Sequence, residues 1–237
     1  MKKMWKRFVF FVSCGLFVYS AFNLIDFFQD GAVSLRVMNE LRDEVVIDNG
    51  VGIDFDRLKE INQDVVGWIR FGYYIDYPVV QGEDNDFYLY RSFDGSMNSL
   101  GTIFLSYDND GVFGDRNNVV FGHNNRDRSK FGSLEDVFND DFFDDELNNF
   151  ITVVTDEGVL EWEIFSVYVY EAELYYLTTS FNGDEYFASF IETIKLRSIR
   201  DFGVDVDVQD RLLTLTACYG TGDTNYRTVI HARLVFE

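Results

Sequence analysis

The sequence predicts a mainly β fold with helical insertions, a barrel or a sandwich, carried behind an N-terminal membrane segment. Three observations carry that expectation: a basic tip leading into an apolar run, a stretch of helical spacing after it, and, from Trp68 onward, about eight short runs of β-branched and aromatic residues bounded by Gly, Asn and Asp. With 237 residues, 47% of them hydrophobic, the chain can build a substantial core and is neither disordered nor collagen-like in composition.

Lys2, Lys3, Lys6 and Arg7 precede an apolar run from Phe8 to Ile25. Eighteen helical residues rise about 27 Å, close to the hydrocarbon thickness of a bilayer, and the cations should stay on the cytoplasmic side. Residues 1–30 are therefore expected to form a single-pass anchor in the cell membrane, N-terminus cytoplasmic, with the rest of the chain outside the cell. The competing reading is a cleaved signal peptide, because Val18-Tyr19-Ser20 before Ala21 is a tolerable cleavage site. A buried core helix fits poorly, since the run has no polar face.

Residues 31–65 carry helical spacing, through Leu35, Val37, Met38, Leu41, Val45 and Val46 and then Phe55, Leu58 and Ile61, and predict one or two amphipathic helices. Residues 66–237 change texture. Strands are expected at Gly67–Arg70, Tyr77–Gln81, Gly101–Ser106, Asn118–Phe121, Ile151–Thr155, Val159–Tyr170, Arg211–Ala217 and Arg227–Phe236. Two helices should interrupt them: Ser133 to about Phe150, with Ser133 as N-cap, and Asp184–Arg200, where Phe187, Phe190, Ile191 and Ile194 share a face.

Charge and cysteine count exclude several functions. The net charge of -21 repels a phosphate backbone, so nucleic acid is not an expected partner. Two cysteines at opposite ends of the chain provide neither a disulfide framework nor a multi-cysteine metal site, and no cofactor is expected. The acidic cluster Asp108-Asn109-Asp110-Gly111 lacks the glutamate that a calcium loop needs at its twelfth position and is expected to be a turn. Asp205, Asp207 and Asp210 alternate with valines, as in the solvated face of an edge strand or its lead-in.

The chemistry rests on few residues. Cys218 ends the run Leu212-Leu213-Thr214-Leu215-Thr216-Ala217, where a strand opens into a turn and a thiol becomes accessible. His123 occupies a comparable place after Val119-Val120-Phe121-Gly122, whereas His231 lies inside a strand-like run and is expected on a strand face. Arg227 opens the last strand, so a short hairpin can bring it beside Cys218. A thiol is only about 3% ionised at pH 7 and needs a nearby cation or base to act as a nucleophile. An imidazole can move the protons of acyl transfer, and a guanidinium can hold a developing oxyanion.

The sequence resembles the sortases, bacterial cysteine transpeptidases that join surface proteins to the cell wall. The resemblance is carried by Thr214-Leu215-Thr216-Ala217-Cys218, Gly122-His123-Asn124 and Arg227. It extends through Asp76–Gly82, Asp84-Asn85, Phe87-Tyr88-Leu89, Gly101–Leu105 and Phe131–Leu134, which look like class B members, and covers roughly residues 35–237. It implies an eight-stranded β-barrel with an N-terminal helical segment and a long helix between late strands. It also implies a Cys218 nucleophile that cleaves a C-terminal sorting motif after its threonine, and transfer of the acyl group to a peptidoglycan or lipid II amine. His123, Cys218 and Arg227 take the catalytic roles, with Thr216, Ala217, Asn124 and Tyr219 as substrate-binding positions. Two departures stand out: Ala217 replaces the usual threonine before the cysteine, and Gly220 stands where some class B members carry an aspartate. A catalytically silent module that binds sorting peptides is the alternative, with Ala217 as its support. L,D-transpeptidases place Cys and His a few positions apart, and papain-like proteases reverse their order; neither pattern matches.

Overall fold

The computed structural model describes residues 2–47, 52–218, 220 and 225–236; the side chains of residues 2–3, 23–30, 32–35 and 218 lie outside that description. The helical spacing at the start resolves into one unbroken helix, α1 (Lys2–Val45), where one or two separate helices were expected after the anchor. Its apolar stretch Met4–Phe22 is long and apolar enough to cross a membrane and is not buried against the rest of the protein. The far end docks: Met38, Leu41 and Val45 are buried at i, i+3, i+7 spacing, and Arg42 pairs with Asp76 at 3.1 Å. A two-stranded ribbon, β1 (Val46–Ile47) and β2 (Gly52–Ile53), leads to α2 (Phe55–Ile61), which Asp54 caps by accepting from Arg57 N at 3.0 Å.

The predicted strands form a closed barrel, not a sandwich. They are β3 (Val65–Phe71), β4 (Ile75–Val80), β5 (Phe104–Leu105), β6 (Asn117–Phe121), β7 (Phe150–Val154), β8 (Val159–Glu171), β9 (Leu212–Cys218) and β10 (Tyr226–Phe236). Around the barrel the order is β10-β8-β7-β3-β4-β5-β6-β9, closing back on β10. Most pairs are antiparallel, but β4 with β5 and β6 with β9 run parallel. The interior is filled by Ile69, Val79, Val120, Ile151, Trp162, Leu213, Leu215 and Ile230, all fully or almost fully buried.

Helix α3 (Asp184–Arg197) buries Phe187, Phe190, Ile191 and Ile194, the predicted face, against Phe165, Tyr168, Leu212 and Val229 on the outside of β8, β9 and β10. It ends at Arg197, three residues short of the predicted end, with Ser198 as its C-cap. β9 is thus covered on both faces, and residues 212–217, the two threonines included, are all buried. The other predicted helix does not form. Residues 134–149 make short 3-10 turns at Leu134–Phe138, Phe142–Asp144 and Glu146–Asn149, and the Ser133 side chain makes no cap bond. Asn139, Asp140, Asp141, Asp144 and Asp145 interrupt the run, and such side chains compete for nearby backbone N–H groups, as Asp145 does by accepting from Leu147 N at 3.1 Å. Of the edge strand or lead-in expected at Asp205–Asp210, the structure has the lead-in to β9 and no strand among the described residues. The segment is extended, with Val204, Val206 and Val208 packed beside α3 and Asp205 and Asp207 in solvent. The Asp108–Asp115 loop is a turn in which Asp110 accepts from Val112 N and Gly114 N.

Candidate active site

Strand registers bring the predicted residues to one end of the barrel. β6 and β9 run parallel with Phe121 beside Thr216, so their chains leave the sheet side by side, and two residues further along each lie His123 and Cys218. The last link between them is Gly122 N donating to Thr216 O at 3.3 Å. On the other side of β9, the antiparallel register makes Arg227 the partner of Cys218. Alternation orders the faces. Leu213, Leu215 and Ala217 pack into the barrel interior, so position 218 shares the outer face with Thr214 and Thr216. Arg227 shares that face with Val229 and His231, as opposed residues of an antiparallel pair must.

That outer face borders a cleft of about 460 Å³ lined by His123, Thr216, Ala217 and Arg227 together with Leu89, Tyr176, Leu177 and Glu173. The half-buried His123 ring has Nε2 2.7 Å from the Leu89 carbonyl oxygen. A carbonyl only accepts, so Nε2 carries a proton and Nδ1 is the nitrogen through which the ring gains or loses one. Close packing fixes the ring. A Cβ on Gly101 would come within 2.8 Å of His123 Cδ2, and Gly101 has φ +59°, so glycine is required there on both counts. Gly122 is held differently, by the Phe131 ring, which a Cβ would meet at 2.6 Å.

Arg227 is half-buried and its Nη1 donates to the Tyr226 carbonyl at 3.0 Å. Tyr176 forms part of the cleft wall as well. Burial pushes its phenol above the ordinary value, and the Glu173 backbone and the Arg227 charge pull it back only in part, so it remains a neutral hydroxyl in the cleft. Glu173 on the same wall is paired with Arg197 of α3.

Of the predicted substrate-binding positions, Thr216 and Ala217 line the cleft. Asn124 does not; its amide Nδ2 donates to Glu135 Oε1 at 2.6 Å and to Gly220 O at 3.2 Å. Tyr219 and the Cys218 side chain lie outside the described residues. His231 lies within β10 and is fully buried. Thr214 Oγ1 donates to Asn117 Oδ1 at 2.6 Å and accepts from His231 Nδ1 at 2.8 Å, while Nε2 accepts from Tyr168 Oη at 2.8 Å. Sequence reasoning did not single out the Leu89 carbonyl, Tyr176, Glu173 or Glu135 for the site. Leu89 lay within a recognised motif, but nothing in a sequence signals a backbone carbonyl aimed at a ring from 34 residues away.

A larger groove of about 860 Å³ lies between α3 and residues 198–208 and holds none of the predicted site residues. Among the described residues no cluster of His, Cys, Asp and Glu is arranged to hold a metal ion.

A family model described as the Sortase domain matches residues 70–235. The chain is 32% identical over 208 residues to sortase B of Listeria monocytogenes, covering 86% of this chain and 79% of that one. The crystal structure of sortase B from Bacillus anthracis in complex with AAEK1 superposes with a TM-score of 0.78 at 32% identity, over 89% of this chain and all of that one. A Staphylococcus aureus sortase B–substrate complex superposes with a TM-score of 0.70 at 27% identity, over 91% and 97% of the two chains.

Proposed function

The chain belongs to the sortase family as a class B member and is a cysteine transpeptidase; from that premise we propose that Cys218 is its nucleophile, His123 its acid and base, and Arg227 its oxyanion partner. The substrates are surface proteins with a C-terminal sorting motif, cleaved after a threonine, and the acceptor is a peptidoglycan or lipid II amine. The observation that supports the reading is the pair of registers flanking β9, which brings the chain at 123 and at 227 to either side of the end of β9, with His123 and Arg227 lining one cleft.

In the first half-reaction the Cys218 thiolate attacks the threonine carbonyl carbon, and the negative charge moves to its oxygen, opposite the fixed donors of Arg227. As the intermediate collapses, the C–N bond breaks and His123 Nδ1 gives its proton to the departing amine. A thioester remains on Cys218. In the second half-reaction the acceptor amine attacks that thioester, His123 takes up the amine proton, and the C–S bond breaks to return the thiolate. The Arg227 cation at the neighbouring register position favours the ionised thiol, which an isolated cysteine rarely supplies at neutral pH.

Residues 1–30 serve as the anchor, 31–65 as the helical connection and 66–237 as the catalytic domain outside the membrane. The exposed apolar surface of Met4–Phe22 and the four cations at its start support that topology. The test of the function is turnover of a fluorogenic sorting-type peptide in the presence of an amine. Cys218→Ala should abolish cleavage while the circular dichroism spectrum stays that of the wild type. A variant that cleaves at the wild-type rate would remove Cys218 from the mechanism.

A further inference from the structure

We propose that Glu135 is a positioning residue for this reaction, a single carboxylate oxygen that ties the loop leaving Cys218 to the loop carrying His123. The inference rests on the reading of Cys218 and His123 given above. Glu135 Oε1 accepts from Gly220 N at 2.6 Å and from Asn124 Nδ2 at 2.6 Å, and the same amide of Asn124 donates to Gly220 O at 3.2 Å. Three groups from three segments thus close a ring, with one member adjacent to His123 and another two residues past Cys218.

The need for such a tie follows from the sheet. The parallel ladder of β6 and β9 ends with Gly122 and Thr216, just short of both reacting residues. Beyond it Gly220 has φ +74°, in the left-handed region that favours glycine. The Glu135 bonds, to Asn124 and Gly220, lie past the last hydrogen bond of that ladder. Their base is firm: Leu134 and Val137 on the same 3-10 turn are buried, Leu134 N donates to Phe131 O, Phe131 N donates to His123 O, and Asp136 pairs with Arg128. Hydrogen bonds to an ionised acceptor are the shorter and stronger kind, suited to fixing a distance. Catalytic groups must be held within about 0.5 Å of their productive geometry, and a displacement of about 1 Å can cost on the order of 100-fold in rate.

The experiment uses the full chain in detergent and the sorting-type peptide that the wild type cleaves fastest in a pentapeptide library. A second measurement needs no substrate: the rate at which iodoacetamide alkylates Cys218, followed by mass spectrometry of the peptide containing it. Glu135→Ala should lower kcat roughly 10- to 100-fold with KM changed less than about threefold, and should slow alkylation. Glu135→Gln keeps an oxygen acceptor in place and should recover kcat to within about fivefold of wild type. Wild-type kcat and alkylation in Glu135→Ala, a loss confined to KM, or a Gln variant as slow as Ala would each overturn the proposal. Activity remaining in Cys218→Ala would instead sink the nucleophile assignment; an inactive Cys218→Ala beside a fully active Glu135→Ala sinks the positioning role alone.

Discussion

The two histidines flank the same strand, and the protein has made opposite things of them. His231, on β10, is opposite Thr214 of β9; His123, just past β6, is level with the end of β9. His231 is fully buried with both ring nitrogens hydrogen-bonded to side chains. Burial, helped by the nearby Arg197 charge, pushes its pKa down to about 3, so it is a neutral joint in the packing between α3 and the barrel. His123 is half-buried, with Nε2 tied to one backbone carbonyl and its ring on the wall of a cleft. The difference is one of environment: His231 has both ring nitrogens committed to side chains in the core, whereas His123 is held through one nitrogen at a strand end beside a cleft.

The contrast breaks if the two residues respond alike to substitution. The larger effect on activity belongs to His123→Ala, which should lower kcat by roughly 100- to 10,000-fold while leaving the unfolding midpoint near that of the wild type. Steady-state kinetics with thermal melts of the same preparations check both halves. His231→Gln should show the reverse pattern, with kcat within about threefold of wild type and stability lower by about 1 to 3 kcal/mol, because Tyr168 and Thr214 lose a partner shaped to them. Denaturant titration measures that loss.

A third effect sharpens the comparison through pH. An unfolded histidine titrates near 6.5. Below that value the unfolded chain binds a proton that folded His231 refuses until about pH 3, so its contribution to stability drains away as pH falls through this window. Glutamine has no such proton. The stability gap between wild type and His231→Gln should therefore narrow from pH 6.5 toward pH 3, and a gap that is constant or widens would show that His231 is not held neutral.

What the sequence revealed about these elements follows from where their information lies. The strands were legible because β-branched and aromatic runs end at Gly, Asn and Asp, and the helix Asp184–Arg197 because its buried face recurs at helical spacing. Residues 134–149 misled because Leu134, Val137 and Phe138 mimic a helical stripe while the Asx residues behind them favour turns. Cys218 and His123 stood out as reactive side chains at strand ends. Their meeting was not legible from periodicity, since it depends on β6 pairing parallel with β9 across more than 90 residues of intervening chain, and only the family resemblance anticipated it. Glu135 was still less visible, because a carboxylate in an acidic stretch gives no sign of which backbone amide it will meet.

The most direct test of the account is to catch the intermediate. The full chain would be mixed with a cleavable sorting-type peptide and no acceptor amine, quenched in acid, digested and mapped by mass spectrometry. The account predicts an acyl fragment ending in threonine attached to Cys218 and released by hydroxylamine. Cleavage without any adduct on Cys218, or an adduct on Cys14 or another residue in its place, would contradict it.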